Sequence, residues 1–316
     1  MKILVTPTSF RPEKQSQALK KLQDFATEIV FNPYGRPLVQ SELIALLPGC
    51  DGYIAGLDYI DADVIASCDK LKVISRYGAG VDRVDLAAAN AKKIAVCNTP
   101  GANAQAVADL TMGLLLAVAR KIPFLDKNVK SGNWIRNTGI EIYGKTIGIL
   151  GLGAIGKAVA KRAQGFSMRV MAYDPYMDNA FAAENNIIST SIEQIVREAD
   201  VISLHLPLTK ETRNIISGDM MKKMKRGVII INTARGGLID EDVLPELLDC
   251  GQLGGLGLDA FEVEPLVETP LSGYDNVVLT PHTAAHTYEA TENMADIAVQ
   301  NLIDVLSGNE CQHIIK

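Results

Sequence analysis

Cysteine is scarce in this sequence, with five in 316 residues, at positions 50, 68, 97, 250 and 311. No two are close enough for a Cys-x-x-Cys pair. An odd number of scattered cysteines reads as reduced thiols and a cytoplasmic location. The four histidines show no ligand spacing with cysteines or acids, so no metal is expected. Lys and Arg number 31 against 37 Asp and Glu, a net charge of −6, and no basic block occurs. Without a basic face, nucleic acid and anionic membrane are unlikely partners. The longest apolar stretch, Met112 to Ala119, is too short to span a bilayer and is ended by Arg120 and Lys121. The N-terminal run Met1–Pro7 is too short for a signal peptide and reads as a first strand. There is no internal repeat and no low-complexity segment.

What is present is the balance of an ordinary globular protein, 47% hydrophobic and 22% charged, long enough for two cores. Short apolar β-type runs alternate with helical patterns, which predicts parallel sheets covered by helices. One set of strands is expected at Ile3–Thr6, Gly52–Ala55, Leu71–Ser75 and Ile94–Cys97. A second is expected at Thr146–Leu150, Arg169–Tyr173, Val201–Leu204, Val228–Ile231, Gly255–Leu258 and Val277–Leu279. Helical patterns from about Asn103 to Lys121 and from about Thr287 to Leu306 would carry the chain out of a first domain and back. The fold class is therefore α/β, two Rossmann-like or flavodoxin-like domains with parallel sheets. Residues 100–286 are expected to form one domain, inserted in another made of 1–99 and 287–316.

The sharpest motif is Gly151-Leu152-Gly153-Ala154-Ile155-Gly156. Alone, G-x-G-x-x-G is a weak signal, but here it follows an apolar strand and opens a helix-forming segment. Gly151 permits the tight turn, Gly153 lets a pyrophosphate reach the backbone, and Gly156 lets helix and strand pack closely. The N–H groups of Ala154 and Ile155 lie at the helix start, where unpaired donors favour an anion. Asp174 ends the next strand, 18 residues after Gly156, where a carboxylate can accept from ribose hydroxyls and would repel a 2′-phosphate. The implied cofactor is NAD rather than NADP, which makes 100–286 the NAD-binding domain and 1–99 with 287–316 the substrate domain.

In such a sheet, ligands bind beyond the carboxyl ends of the strands. Three consecutive strand ends carry Asn232-Thr233-Ala234-Arg235, then Asp259-Ala260-Phe261-Glu262-Val263-Glu264, then Thr280-Pro281-His282. Each has a bland explanation as surface charge or cap, and their joint placement argues against coincidence. A histidine suits proton exchange with an alcohol oxygen near neutral pH. A neighbouring carboxylate orients the ring and stabilises the imidazolium, and an arginine offers paired donors to a carboxylate substrate.

These segments, together with Ser75-Arg76-Tyr77-Gly78-Ala79-Gly80-Val81-Asp82, resemble the D-isomer-specific 2-hydroxyacid dehydrogenase family over nearly the whole chain. The likeness is greatest to its 3-phosphoglycerate dehydrogenase and glyoxylate/hydroxypyruvate reductase branches. It implies that Arg235 binds the substrate carboxylate and C2 oxygen, Glu264 supports the histidine, and His282 is the acid–base. It further implies that Asp259 contacts the nicotinamide carboxamide and that Leu206, Pro207, Thr233 and Ala234 line the cofactor pocket. The N–H groups of Tyr77, Gly78, Ala79 and Gly80 would cradle the substrate carboxylate, with domain closure completing the site. The substrate is then a small 2-hydroxy or 2-oxo acid, and a homodimer is expected, with Trp134 and Leu114–Ala119 as interface candidates, the latter reading equally well as core. Gly56 stands where phosphoglycerate-specific members usually carry an arginine, for which Arg36 or Arg76 would have to substitute. The 316 residues leave no room for a C-terminal regulatory domain. Side-chain selectivity is placed in Thr8-Ser9-Phe10 and Gly56-Leu57-Asp58. His205 and His286 are read as structural, His205 as a satisfied core histidine. The alternatives are a phosphonate dehydrogenase and a non-enzymatic NAD-sensing protein.

Overall fold

The computed structural model describes residues 1–13 and 16–315 and divides into two units, Met1–Asn103 with His286–Lys316, and Ala104–Ala285. In the first unit the strands are β1 (Lys2–Val5), β2 (Glu28–Phe31), β3 (Gly52–Ala55), β4 (Val73–Arg76) and β5 (Ala95–Cys97). They form one parallel sheet in the order β2-β1-β3-β4-β5. β3 and β4 are buried at every position, as a parallel sheet covered on both faces requires. Helix Tyr288–Ser307 packs on β3, β4 and β5. Thr287 caps its start by accepting from the Ala290 N–H at 3.1 Å, and Gly308, at φ 75°, ends it. β2 was not legible in the sequence. It is an edge strand with one neighbour, opens on exposed Glu28, and so lacks an unbroken apolar run.

The second unit holds β6 (Thr146–Leu150), β7 (Arg169–Tyr173), β8 (Ile188–Ser189), β9 (Val201–Leu204), β10 (Val228–Asn232), β11 (Leu253–Leu258) and β12 (Val277–Leu279). Its sheet is again parallel, in the order β12-β11-β10-β9-β6-β7-β8. The chain builds outward from β6 through β7 to β8, then returns to β9 and builds the other way. The topological switch point thus falls between β6 and β9, the place where a doubly wound sheet opens a crevice for ligands. β8, only two residues long, was not legible in the sequence.

Helix Ala104–Arg120 packs on β10, β11 and β12 and against helix Ala154–Gly165. Leu114, Leu115, Val118 and Ala119 are all buried in that contact. They recur at one face of a 3.6-residue period, so these four side chains serve the unit's own core. Trp134, by contrast, is 82% exposed. Among the described residues no helix is long and apolar enough to cross a membrane.

Candidate active site

At the switch point, β6 runs into Gly151, whose φ is +101°. A Cβ there would stand 2.6 Å from the His205 carbonyl oxygen at the end of β9. Gly156 is tighter still, since its Cβ would lie 2.0 Å from the Gly151 oxygen. Gly153 differs, for a Cβ there meets nothing within 4 Å. It is the N-cap of helix Ala154–Gly165, and no side chain caps that end. The first N–H groups of a twelve-residue helix therefore open on space that glycine keeps clear. Asp174, half-buried at the end of β7, accepts from Leu152 N–H at 2.7 Å and Tyr176 N–H at 2.8 Å. Its carboxylate is thereby fixed beside the turn, with acceptor capacity remaining.

The ends of β10, β11 and β12 carry the polar set. Asn232, buried, moulds the Arg235 turn: its Oδ1 accepts from Ala234 N–H at 3.0 Å and its Nδ2 donates to the Arg235 oxygen at 2.7 Å. Arg235 is half-buried and donates from Nη1 to the Ala234 oxygen at 2.7 Å. Thr233 is buried, its hydroxyl 2.8 Å from that of Thr111. Leu206 belongs to the apolar core while Pro207 stays exposed.

Glu264 and His282, 18 residues apart in sequence, meet in space, with Nδ1 2.9 Å and 3.0 Å from the two carboxylate oxygens. An ionised carboxylate only accepts, so Nδ1 carries the hydrogen and Nε2 is left to exchange a proton. The side chains are 22% (His282) and 14% (Glu264) exposed, which limits screening of the pair. Glu264 Oε1 also accepts from Phe261 N–H at 3.2 Å.

His282 sits at φ 49°, in the left-handed region that a side chain other than glycine or asparagine seldom adopts. Asp259 holds it there. Fully buried, it accepts from Thr280 Oγ1 at 2.6 Å, Thr283 N–H at 2.8 Å and Ala284 N–H at 2.9 Å, gripping the chain on both sides of the histidine. Asn232 and Asp259 are thus shaping residues. Asn232 could have been found as an Asx-turn residue two positions before Ala234. The bracing by Asp259 depends on contacts 21 to 25 residues away and has no local signal.

His205 corrects an expectation. Its Nε2 lies 2.8 Å from Ser203 Oγ, but Nδ1 is sealed from solvent with no partner among the described residues, so it is only half satisfied. Burial pushes its pKa down to about 3. No cluster of three or more metal-ligating side chains occurs among the described residues.

In the first unit, the segment Tyr77–Gly80 is shaped from its carbonyl side. The Gly78 oxygen accepts from Thr99 N–H at 3.1 Å, the Ala79 oxygen from Asn98 Nδ2 at 2.7 Å, and the Gly80 oxygen from Arg76 Nε at 3.2 Å. Tyr77 Oη donates to the Thr291 oxygen at 2.6 Å. Arg76, only 2% exposed, also donates to the Ala55 oxygen at 2.8 Å and so is an internal brace. Asp58 is likewise turned inward, accepting from Leu38 N–H at 2.6 Å, Tyr53 Oη at 2.9 Å and Thr6 Oγ1. Neither side chain is available to sort substrates. His286 falls at the start of the C-terminal segment of this unit.

Comparison with known proteins places this geometry. Residues 112–284 match the family described as D-isomer specific 2-hydroxyacid dehydrogenase, NAD binding domain. The chain belongs to that family. It is 44% identical over 259 residues to a D-3-phosphoglycerate dehydrogenase of Methanocaldococcus jannaschii, covering 81% of this chain and 49% of the relative. It is 40% identical over 301 residues to a glyoxylate reductase of Thermofilum pendens, covering 92% of this chain and 88% of the relative. The crystal structure of the TT0316 protein from Thermus thermophilus superposes with a TM-score of 0.88 at 38% identity, covering all of both chains. The chain thus spans about half the length of the phosphoglycerate dehydrogenase it matches, but most of the glyoxylate reductase. The uncapped helix start, the open Gly153 and the fixed Asp174 carboxylate fit the NAD expected of this family's nucleotide domain.

Proposed function

We propose that this family member is an NAD-dependent dehydrogenase acting at C2 of a small D-2-hydroxy acid or 2-oxo acid. The observation that carries the reading is the Glu264–His282 pair at 2.9 Å on the same sheet edge as Arg235. NAD, when bound, takes or supplies the hydride. Gly153, Ala154 and Ile155 would present backbone to its pyrophosphate, Gly151 and Gly156 shape that turn, and Asp174 would accept from its ribose hydroxyls. Leu206, Pro207, Thr233 and Ala234 would border the nucleotide, and Asp259 would hold the carboxamide.

Arg235 pairs with the substrate carboxylate, for which its planar donors are suited. The Tyr77–Gly80 segment of the first unit, taken by itself, offers backbone N–H groups suited to a carboxylate. His282 Nε2 takes the hydroxyl proton during oxidation and returns one during reduction, while Glu264 holds Nδ1–H and keeps the ring oriented.

Three observations favour an unphosphorylated acid, such as glyoxylate or hydroxypyruvate, over 3-phosphoglycerate. Gly56 is hemmed in, a Cβ there lying 3.1 Å from Pro7 Cα. Arg36 spends both terminal nitrogens on Glu42, at 2.7 and 2.9 Å. Arg76 is buried as a brace. The test is a panel of glyoxylate, hydroxypyruvate, pyruvate and 3-phosphohydroxypyruvate with NADH and with NADPH. Turnover of none would refute the reading and favour an NAD sensor, with phosphonate oxidation as the remaining assay. Preference for the phosphorylated acid would refute the choice of substrate.

A homodimer belongs to the same reading. Trp134, Ile135, Ile140 and Tyr143 are exposed, and Ile140 and Tyr143 line a groove of about 310 Å³ together with Leu116 and Phe166. A monomeric mass by light scattering would refute it. The five free thiols accord with a cytoplasmic location.

A further inference from the structure

Two successive peptide carbonyls, those of Gly78 and Ala79, are turned toward one neighbouring segment, Asn98–Thr99. In a trans peptide the N–H of the next residue points opposite to the carbonyl. The N–H groups of Ala79 and Gly80 are therefore both turned away from Asn98 and Thr99. In an extended strand successive N–H groups point to opposite sides, so this arrangement is the exception that makes a concave receptor for an anion. The next carbonyl, of Gly80, is fixed separately by the buried Arg76 guanidinium.

Of these braces, Asn98 acts on the Ala79 carbonyl through its side chain alone. Its amide donates at 2.7 Å, while its own backbone N–H goes to the His313 oxygen and its carbonyl accepts from Asn301 Nδ2 at 2.8 Å. The backbone of Asn98 is thus anchored to the C-terminal segment independently of what its side chain does.

We propose that Asn98 is a positioning residue for substrate binding, aligning the Ala79–Gly80 amides as a carboxylate receptor by holding the Ala79 carbonyl from behind. It touches no reacting atom. This rests on the reading of Tyr77–Gly80 as the carboxylate site. Its signature is selective: binding of the acid depends on Asn98, and binding of the dinucleotide does not.

The test uses the full chain with Asn98→Asp and Asn98→Ala. Asn98→Asp keeps the shape, removes the donor, and sets a carboxylate against the Ala79 oxygen. The expected result is a KM for the preferred 2-oxo acid raised on the order of 10-fold or more, with a smaller change in kcat. Asn98→Ala, which removes the donor without adding charge, raises KM less. The Kd for NADH, followed by its fluorescence, stays within about twofold in both. If Asn98→Asp fails to fold, the KM of Asn98→Ala decides. A KM within twofold of the parent protein in the variants that fold overturns the assignment of Asn98. So does an NADH affinity that falls in step with KM, since that signals general loosening. Absence of turnover in the parent protein overturns the functional reading instead.

Discussion

Two glycines of one motif should fail in opposite ways. Replacing Gly156 by alanine puts a methyl 2.0 Å from the Gly151 oxygen, a backbone atom that cannot swing aside. Helix Ala154–Gly165 must move off β6 by about an ångström or more, at a cost of about 3 kcal/mol, the upper range for overpacking a tight contact. For a unit of this size that corresponds to a fall in Tm of about 6–12 °C. Gly153→Ala meets nothing within 4 Å, and its backbone, at φ −71° and ψ −163°, suits any residue. Its folding cost is the loss of a preferred N-cap residue, about 1 kcal/mol or less. Its methyl would stand where a pyrophosphate approaches the open amides of Ala154 and Ile155. Losing one charge-assisted bond, about 1.5–3 kcal/mol, should weaken NADH binding about 10- to 100-fold. Thermal unfolding without cofactor and a fluorescence titration with NADH separate the two effects. Unaltered NADH binding in Gly153→Ala would remove the turn from the cofactor site. An unchanged Tm in Gly156→Ala would show that the close approach of helix and strand does not depend on that glycine.

His282→Ala should lower kcat by about 10² to 10⁴ while NADH affinity survives, and unchanged turnover would refute the acid–base role. Arg235→Ala should cut kcat/KM for every 2-oxo acid tested, whereas a loss confined to NADH binding would exclude a substrate role. His205 should make the fold sensitive to acid. Burial lowers its pKa to about 3, so the unfolded chain takes up a proton below about pH 6.5 that the folded chain refuses. Its penalty is absent above that pH and grows by about 1.4 kcal/mol per unit as pH falls toward 3. Between pH 7.5 and 5 this amounts to about 2 kcal/mol, and equal urea-unfolding slopes with pH in the parent and His205→Gln would refute it. Finally, Cys250 is the one exposed thiol among the described residues, and burial holds Cys50 up at about 11. A thiol reagent should titrate one cysteine quickly in the native protein and five after unfolding.

The sequence carried the two-sheet α/β plan, because strands buried on both faces are mostly apolar and stand out as near-continuous runs. It also carried the dinucleotide turn, where Gly156 answers to Gly151 five residues before it, although Gly151 itself answers to the His205 carbonyl 54 residues on. Edge strands β2 and β8 escaped it, since one neighbour demands neither length nor uniform burial. The histidine and its acid could be nominated from strand ends, but only the tertiary structure brought Glu264 to His282. The same holds for Asp259, whose grip on the loop keeps His282 at positive φ, and for the turning of Arg76 and Asp58 inward. It holds equally for Asn98 behind Ala79, 19 residues away. Which lone pair meets which N–H is settled by how separate strands end side by side. No local pattern of residue types encodes that.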